Sequence, residues 1–219
     1  MKRPTVILPL LFIILLSSCF GVDADITINP DGSGTIALEY RVSQALDALG
    51  RQDGNERWNT IPVGRADFQR TLDRLPDMRL VSFSSRQDAR DIIISARMEF
   101  SSMQGLLAFL DAGGRRSSFS WGSSPDASSL VLTLSDGAAV TNPDLAELIA
   151  AISEGYAVRM SMTVPSPFTG GLAVSDNHGR PLAAIPGSEI QSEGRRVSFS
   201  LPLYEVLTSA DGMRVEFSW

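Results

Sequence analysis

The 219-residue chain is 43% apolar and 20% charged, the balance of a globular protein and not of a disordered one. Its 19 basic residues include Lys2 and Arg3 at the N-terminus; less these two, 17 arginines stand against 25 acids, a net of −8, which disfavours a nucleic-acid partner that needs clustered positive charge. Lys2 is the only lysine, His178 the only histidine and Cys19 the only cysteine, so nothing local suggests a Schiff base, an internal disulfide or a zinc ligand set.

Met1-Lys2-Arg3-Pro4 is a short cationic start, Val6 to Leu16 an apolar run, and Ser17-Ser18-Cys19 follow. This is the shape of a secretory signal. A membrane-spanning helix would need ~20 apolar residues, and Pro9 interrupts this shorter run. Leu16-Ser17-Ser18-Cys19 resembles a bacterial lipobox, with a branched apolar residue at −3 and small residues before the cysteine. The resemblance implies cleavage after Ser18 and acylation of Cys19, which also accounts for a lone thiol in an exported chain. Residues 1–18 are then a signal peptide, 19–23 a lipidated tether and 24–219 the exported domain. Two or more acyl chains, palmitate among them, would hold it firmly in the membrane. Phe20 stands where enteric lipoproteins kept at the inner membrane carry aspartate, so the outer membrane or cell surface is the expected destination.

Within the domain, Ala24 to Asn29 and Thr35 to Val42 alternate apolar and polar residues around Pro30-Asp31-Gly32-Ser33-Gly34, which predicts a β-hairpin. Ser43 is placed to cap a short helix through Leu49. Phe68, Leu72 and Leu75 fall at helical spacing before Pro76. Arg79 to Ser85 and Asp91 to Phe100 read as a second hairpin, Met103 to Ala112 as a helix, and Ser117 to Trp121 with Leu130 to Leu134 as a third hairpin. Asn142-Pro143 is an N-cap with proline at the first helical position, and Gly155 ends that helix. Alternation resumes at Val158 to Val164, Val197 to Leu201 and Val215 to Trp219. Hairpin-then-helix, three times over, predicts an α+β fold: an antiparallel sheet with about three helices packed on it. Residues 156–219 form a β-rich part that could be a subdomain.

The order of these elements, the Val164-Pro165 strand end, the Asn177-His178-Gly179 turn and the Gly194-Arg195-Arg196-Val197 strand start resemble the LppM-type bacterial lipoprotein domain. The resemblance implies a non-enzymatic envelope module, with lipids among the ligands it would contact.

Candidate chemistry is sparse. His178 sits in a turn, a poor place for the packed base of a catalytic triad. Asp23, Asp25 and Asp31 cluster near the tether without the ligand spacing of a calcium loop. Arg115-Arg116 and Arg195-Arg196 each precede a strand and suggest an anion-binding rim. Phe168, in a Pro/Gly-rich loop, suggests a lipid-contacting tip. No catalytic, cofactor-binding or metal residues are assigned. The expected role is a non-catalytic domain that binds a lipid, an envelope glycan or a protein. A carboxylate-dependent envelope hydrolase and a structural assembly lipoprotein are the alternatives.

Overall fold

The computed structural model describes residues 20–44, 64–110, 117–121, 128–137, 140, 142–182 and 185–219. The signal segment, Cys19, most of the helix expected after Ser43, and Arg115 and Arg116 lie outside the described residues. The first hairpin is formed by β1 (Phe20–Ile28) and β2 (Gly34–Ser43), so β1 takes in Phe20 to Asp23, which the sequence reading gave to the tether. Asp31 fixes the turn by accepting from the Ser33 amide at 3.0 Å and its hydroxyl at 2.6 Å, while Gly32 adopts φ +80°. Gly34 has a steric reason to be glycine. A Cβ there would lie 2.0 Å from the Thr27 carbonyl oxygen and 2.4 Å from the Phe100 ring.

The chain continues through α1 (Arg65–Leu72), β3 (Met78–Gln87), β4 (Asp91–Phe100), α2 (Met103–Leu110), β5 (Ser117–Trp121) and β6 (Ser128–Ser135). It then forms α3 (Pro143–Ser153), β7 (Ala157–Thr163), β8 (Gly171–Ser175), β9 (Glu189–Glu193), β10 (Arg196–Pro202), α4 (Leu203–Thr208) and β11 (Met213–Ser218). The α3 cap is as the sequence predicts: Asn142 Oδ1 accepts from the Asp144 amide at 3.0 Å, and Gly155 takes φ +77° beyond the end.

The α+β expectation is corrected: the protein is mostly β. Its strands make a seven-stranded sheet, β3-β4-β2-β1-β7-β10-β9, and a four-stranded sheet, β5-β6-β11-β8. Among the described residues the helices of known extent are only 8, 8, 11 and 6 residues long. Nor is the large sheet wholly antiparallel, because β1 and β7 run parallel. Alternation tells which side of a strand is apolar but not which strand lies beside it. The hairpin β5–β6 therefore looked like more of one sheet, whereas β11 draws it into a second. The core is closed partly by sheet on sheet. Phe199 of β10 meets Phe217 of β11 with ring centroids 6.1 Å apart. Elsewhere short helices cover it: Phe68 of α1 sits between Tyr40 and Phe83, and Leu106 of α2 is fully buried.

Candidate functional site

Strand β1 sorts its residues by parity. Ala24, Ile26 and Ile28 are buried in the core, whereas Asp23, Asp25 and Thr27 lie on the opposite, partly exposed face. Register carries that face across the sheet in rows. Asp23 stands between Glu39 of β2 and Arg159 of β7, with Ser95 beyond Glu39 and Ser200 beyond Arg159. Asp25 stands between Ala37 and Ser161, with Arg97 beyond Ala37 and Ser198 and Gln191 beyond Ser161. The rows line an open trough of about 1010 Å³ that crosses all seven strands.

Several charges at the trough are paired. The Arg196 guanidinium donates to Asp25 Oδ2 at 2.6 Å and to the Ser161 hydroxyl oxygen at 2.9 Å, and that hydroxyl donates to Asp25 at 2.6 Å. Arg159 reaches Asp23 at 3.4 Å. Ser95 donates to Glu39 at 3.1 Å, and Arg41 lies 3.6 Å from the same carboxylate. Both acid partners of the arginine bridges keep about two fifths of their side-chain exposure, Asp23 at 36% and Asp25 at 42%. They remain reachable from solvent. Among the described residues no group of three or more histidine, cysteine or acidic side chains could hold a metal ion.

At the Gly21 end of β1 the trough meets a second cavity of about 380 Å³, and the two share Asp23, Gly155, Tyr156, Ala157 and Arg159. Here Asp91 is 5% exposed and accepts from the Tyr156 hydroxyl at 2.6 Å. The Arg90 guanidinium lies over the Tyr156 ring, 4.9 Å from its centroid. Asp88 closes the β3–β4 turn. The backbone amides of Asp91 and Arg90 donate to it at 2.7 and 2.8 Å and hold its carboxyl below the usual carboxylate range.

The residues nominated from the sequence scatter. Arg196 reaches the trough from its edge, bonding to the lining residues Asp25 and Ser161. Arg195, one residue earlier, bonds instead to the Pro165 carbonyl at 3.5 Å. Phe168 is half-buried and folds back on Trp219, edge to face at 6.1 Å. Its amide donates to the Gly194 carbonyl at 3.1 Å, so Phe168 and Arg195 share the Thr163 end of the sheet, opposite the Gly21 end. His178 is an exposed turn residue whose amide donates to Asp176. Asp176 is 2% exposed, and its burial works against the charge. The Arg180 amide and guanidinium and the His178 amide outweigh that and keep its carboxyl below the ordinary value. Of the acids near the tether, Asp23 and Asp25 join the trough, while Asp31 serves its own turn. Sequence reasoning missed Glu39, Ser95, Arg159 and Ser161. Their signal was available in the alternation of β2, β4 and β7, which marks each as lying opposite the apolar face.

No protein-family model matches the chain, and no curated protein matches it in sequence. Among solved structures it is similar to the folded domain of the LppM protein of Mycobacterium tuberculosis, an NMR structure of the group that its element order resembles. That likeness has 15% identity, covers 92% of this chain and 90% of that one, and gives a TM-score of 0.45. It is also similar to the collagen adhesin of S. aureus, at 7% identity over 93% of this chain and 81% of that one, with a TM-score of 0.26. At these distances neither likeness carries an argument about the site.

Proposed function

We propose that the protein is a membrane-anchored envelope lipoprotein whose trough binds a hydroxyl-rich ligand, an envelope glycan, without catalysing a reaction on it. The trough itself carries this reading. It offers the hydroxyls of Ser95, Ser161, Ser198 and Ser200, the amide of Gln191 and two arginine–carboxylate pairs, all on paired strands. Such a surface presents donors and acceptors side by side, which is what a run of sugar hydroxyls requires. A carboxylate hydrolase needs one acid protonated and the other free to act as base or nucleophile. Here Asp23, Asp25 and Glu39 each already accept from an arginine or a serine. The anchor rests on the lipobox-like Leu16-Ser17-Ser18-Cys19.

Two measurements test the two halves. Radiolabelled palmitate should enter the full chain and be lost with Cys19→Ala; label retained in that variant would overturn the anchor. The full chain in detergent should be retained on immobilised envelope glycans and release intact oligosaccharide on elution. No retention would overturn the glycan reading, and shortened oligosaccharides in the eluate would replace it with the hydrolase.

A further inference from the structure

We infer that the lipidated protein rests directly on the bilayer through the Gly21 end of its seven-stranded sheet, with Arg41 and Arg90 against the phosphate layer. The inference rests on the anchor proposed above and adds an orientation to it. Its starting point is a spacing. β1 begins at Phe20, the residue after Cys19, and Gly21 is already paired with Arg41 of β2. Successive Cα atoms are ~3.8 Å apart, so Gly21 lies no more than about 7 Å from Cys19. The headgroup layer on each side of a bilayer is itself about 5–8 Å thick. An acyl-bearing Cys19 therefore leaves no slack through which the sheet could stand clear of the membrane.

Register names what shares that end. Arg41 pairs with Ile93, which pairs with Arg86, so the β3–β4 turn from Asp88 to Arg90 lies beside the start of β1. Gln44 ties that turn to β2, its side chain donating to the Asp88 carbonyl at 2.5 Å and its amide to the Arg90 carbonyl at 3.0 Å. Arg90 is steadied over Tyr156 and reaches the Glu154 carbonyl at 3.4 Å, which pins this end to the segment leading into β7. The acids here are partly spent: Asp91 on the Tyr156 hydroxyl, Asp88 on two backbone amides and Asp23 on Arg159. Glu39 lies 3.6 Å from Arg41, in a surface pair that a phosphate would have to compete with. Arg41 remains 44% exposed, and Arg90 is exposed. Guanidinium groups are well suited to phosphate oxygens. The opposite end, with the Pro30 turn, Phe168 and Arg195, stands off by the length of β1. Seven steps at ~3.3 Å make that about 23 Å.

The test uses the full lipidated chain in vesicles of its own membrane lipids. Because acylation would leave no free thiol, Gln87→Cys and Ser166→Cys each give a single nitroxide site, one near the Gly21 end and one near the Thr163 end, both exposed. Nickel chelated on lipid headgroups should relax the label at 87 several-fold more than the label at 166, and Arg41→Gln/Arg90→Gln should at least halve that contrast. An acylated chain whose two labels relax alike, or whose label at 166 relaxes more, overturns the orientation and leaves the anchor standing. A contrast unmoved by the arginine variant removes the phosphate contact. Intact mass of the mature chain separates the remaining case: no acyl group on Cys19 overturns the anchor and the orientation together.

Discussion

The two faces of the seven-stranded sheet are built from the same strands and have opposite chemistry. On one, Ile26, Ile36, Met98, Met162 and Val197 are almost wholly excluded from solvent. On the other, one residue along in each strand, Asp25, Arg97, Ser161 and Ser198 line the trough. Because the side-chain period of a strand is two, a single register decision assigns every residue to one role or the other. The inner face should therefore govern stability and the outer face binding. Substitutions can separate the two.

The largest expected effect is on the inner face. Phe217 is fully buried, and its ring packs against Phe199 across the two sheets. Phe217→Ala should cost about 3–5 kcal/mol, from lost transfer energy and the cavity left behind. Urea denaturation would read it as a lowered midpoint. Ile26→Ala should cost roughly 2–5 kcal/mol by the same mechanism, whereas Thr27→Ala, its neighbour on the outer face, should cost less than about 1 kcal/mol. Equal losses at 26 and 27 would erase the distinction between the faces.

Gly34→Ala comes next. It removes nothing, but its methyl carbon would lie 2.0 Å from the Thr27 carbonyl oxygen and 2.4 Å from the Phe100 ring. The hairpin must open or Phe100 must move, and overpacking of this kind costs about 1–3 kcal/mol. The loss should appear in thermal melts of Gly34→Ala. Gly179→Ala makes the control, because a Cβ at Gly179 meets nothing within 4 Å and only its φ of +80° is strained.

Much of the local structure was legible. The Pro-Asp-Gly turn, the Asn142-Pro143 helix start and the alternation of β4 each depend on a few adjacent residues, and each formed where the sequence placed it. What was not legible depends on distance along the chain. The parallel pairing of β1 with β7 joins Asp25 to Ser161, residues 136 positions apart. No local pattern encodes such a partner. β9 carried too little signal to be foreseen, since all five of its residues are exposed and none alternates into a core. The trough shares this difficulty. Arg196 stood out only as half of an arginine pair, and its partner in space proved to be Asp25, not Arg195.

A smaller effect concerns Asp176, a buried carboxylate in the second sheet's β8 turn. Its folded carboxyl lies below the ordinary value, so the ionised form stabilises the native state. That contribution is complete above the unfolded value of about 4 and is lost as pH falls through the lower folded value. Asp176→Asn should thus lower the melting temperature at neutral pH, with the gap from wild type closing as pH falls through and below the unfolded carboxylate value. Melting curves across that range would show it. A gap that stays constant with pH would mean that shape, and not charge, holds the turn. On the trough face, by contrast, the carboxylate of Asp25 keeps 42% of its side-chain exposure.

The smallest effect on stability should be Arg196→Gln, and it is the most informative about function. Arg196 is 57% exposed, and its bridge to Asp25 belongs to the class of surface pairs worth about 0–1 kcal/mol. Glutamine keeps an N–H donor for Asp25 and Ser161 but removes the charge and the planar fork. The melting temperature should move by only a degree or two in consequence, while retention on envelope glycan falls several-fold. Asp25→Asn should behave in the same way. The double variant should lose little more than either single one, because both act through one paired unit. If the variants keep full retention, the trough is a solvated sheet face and the ligand binds elsewhere. If they unfold the protein instead, the outer face is part of what holds the sheet together, and the division of labour between the two faces fails.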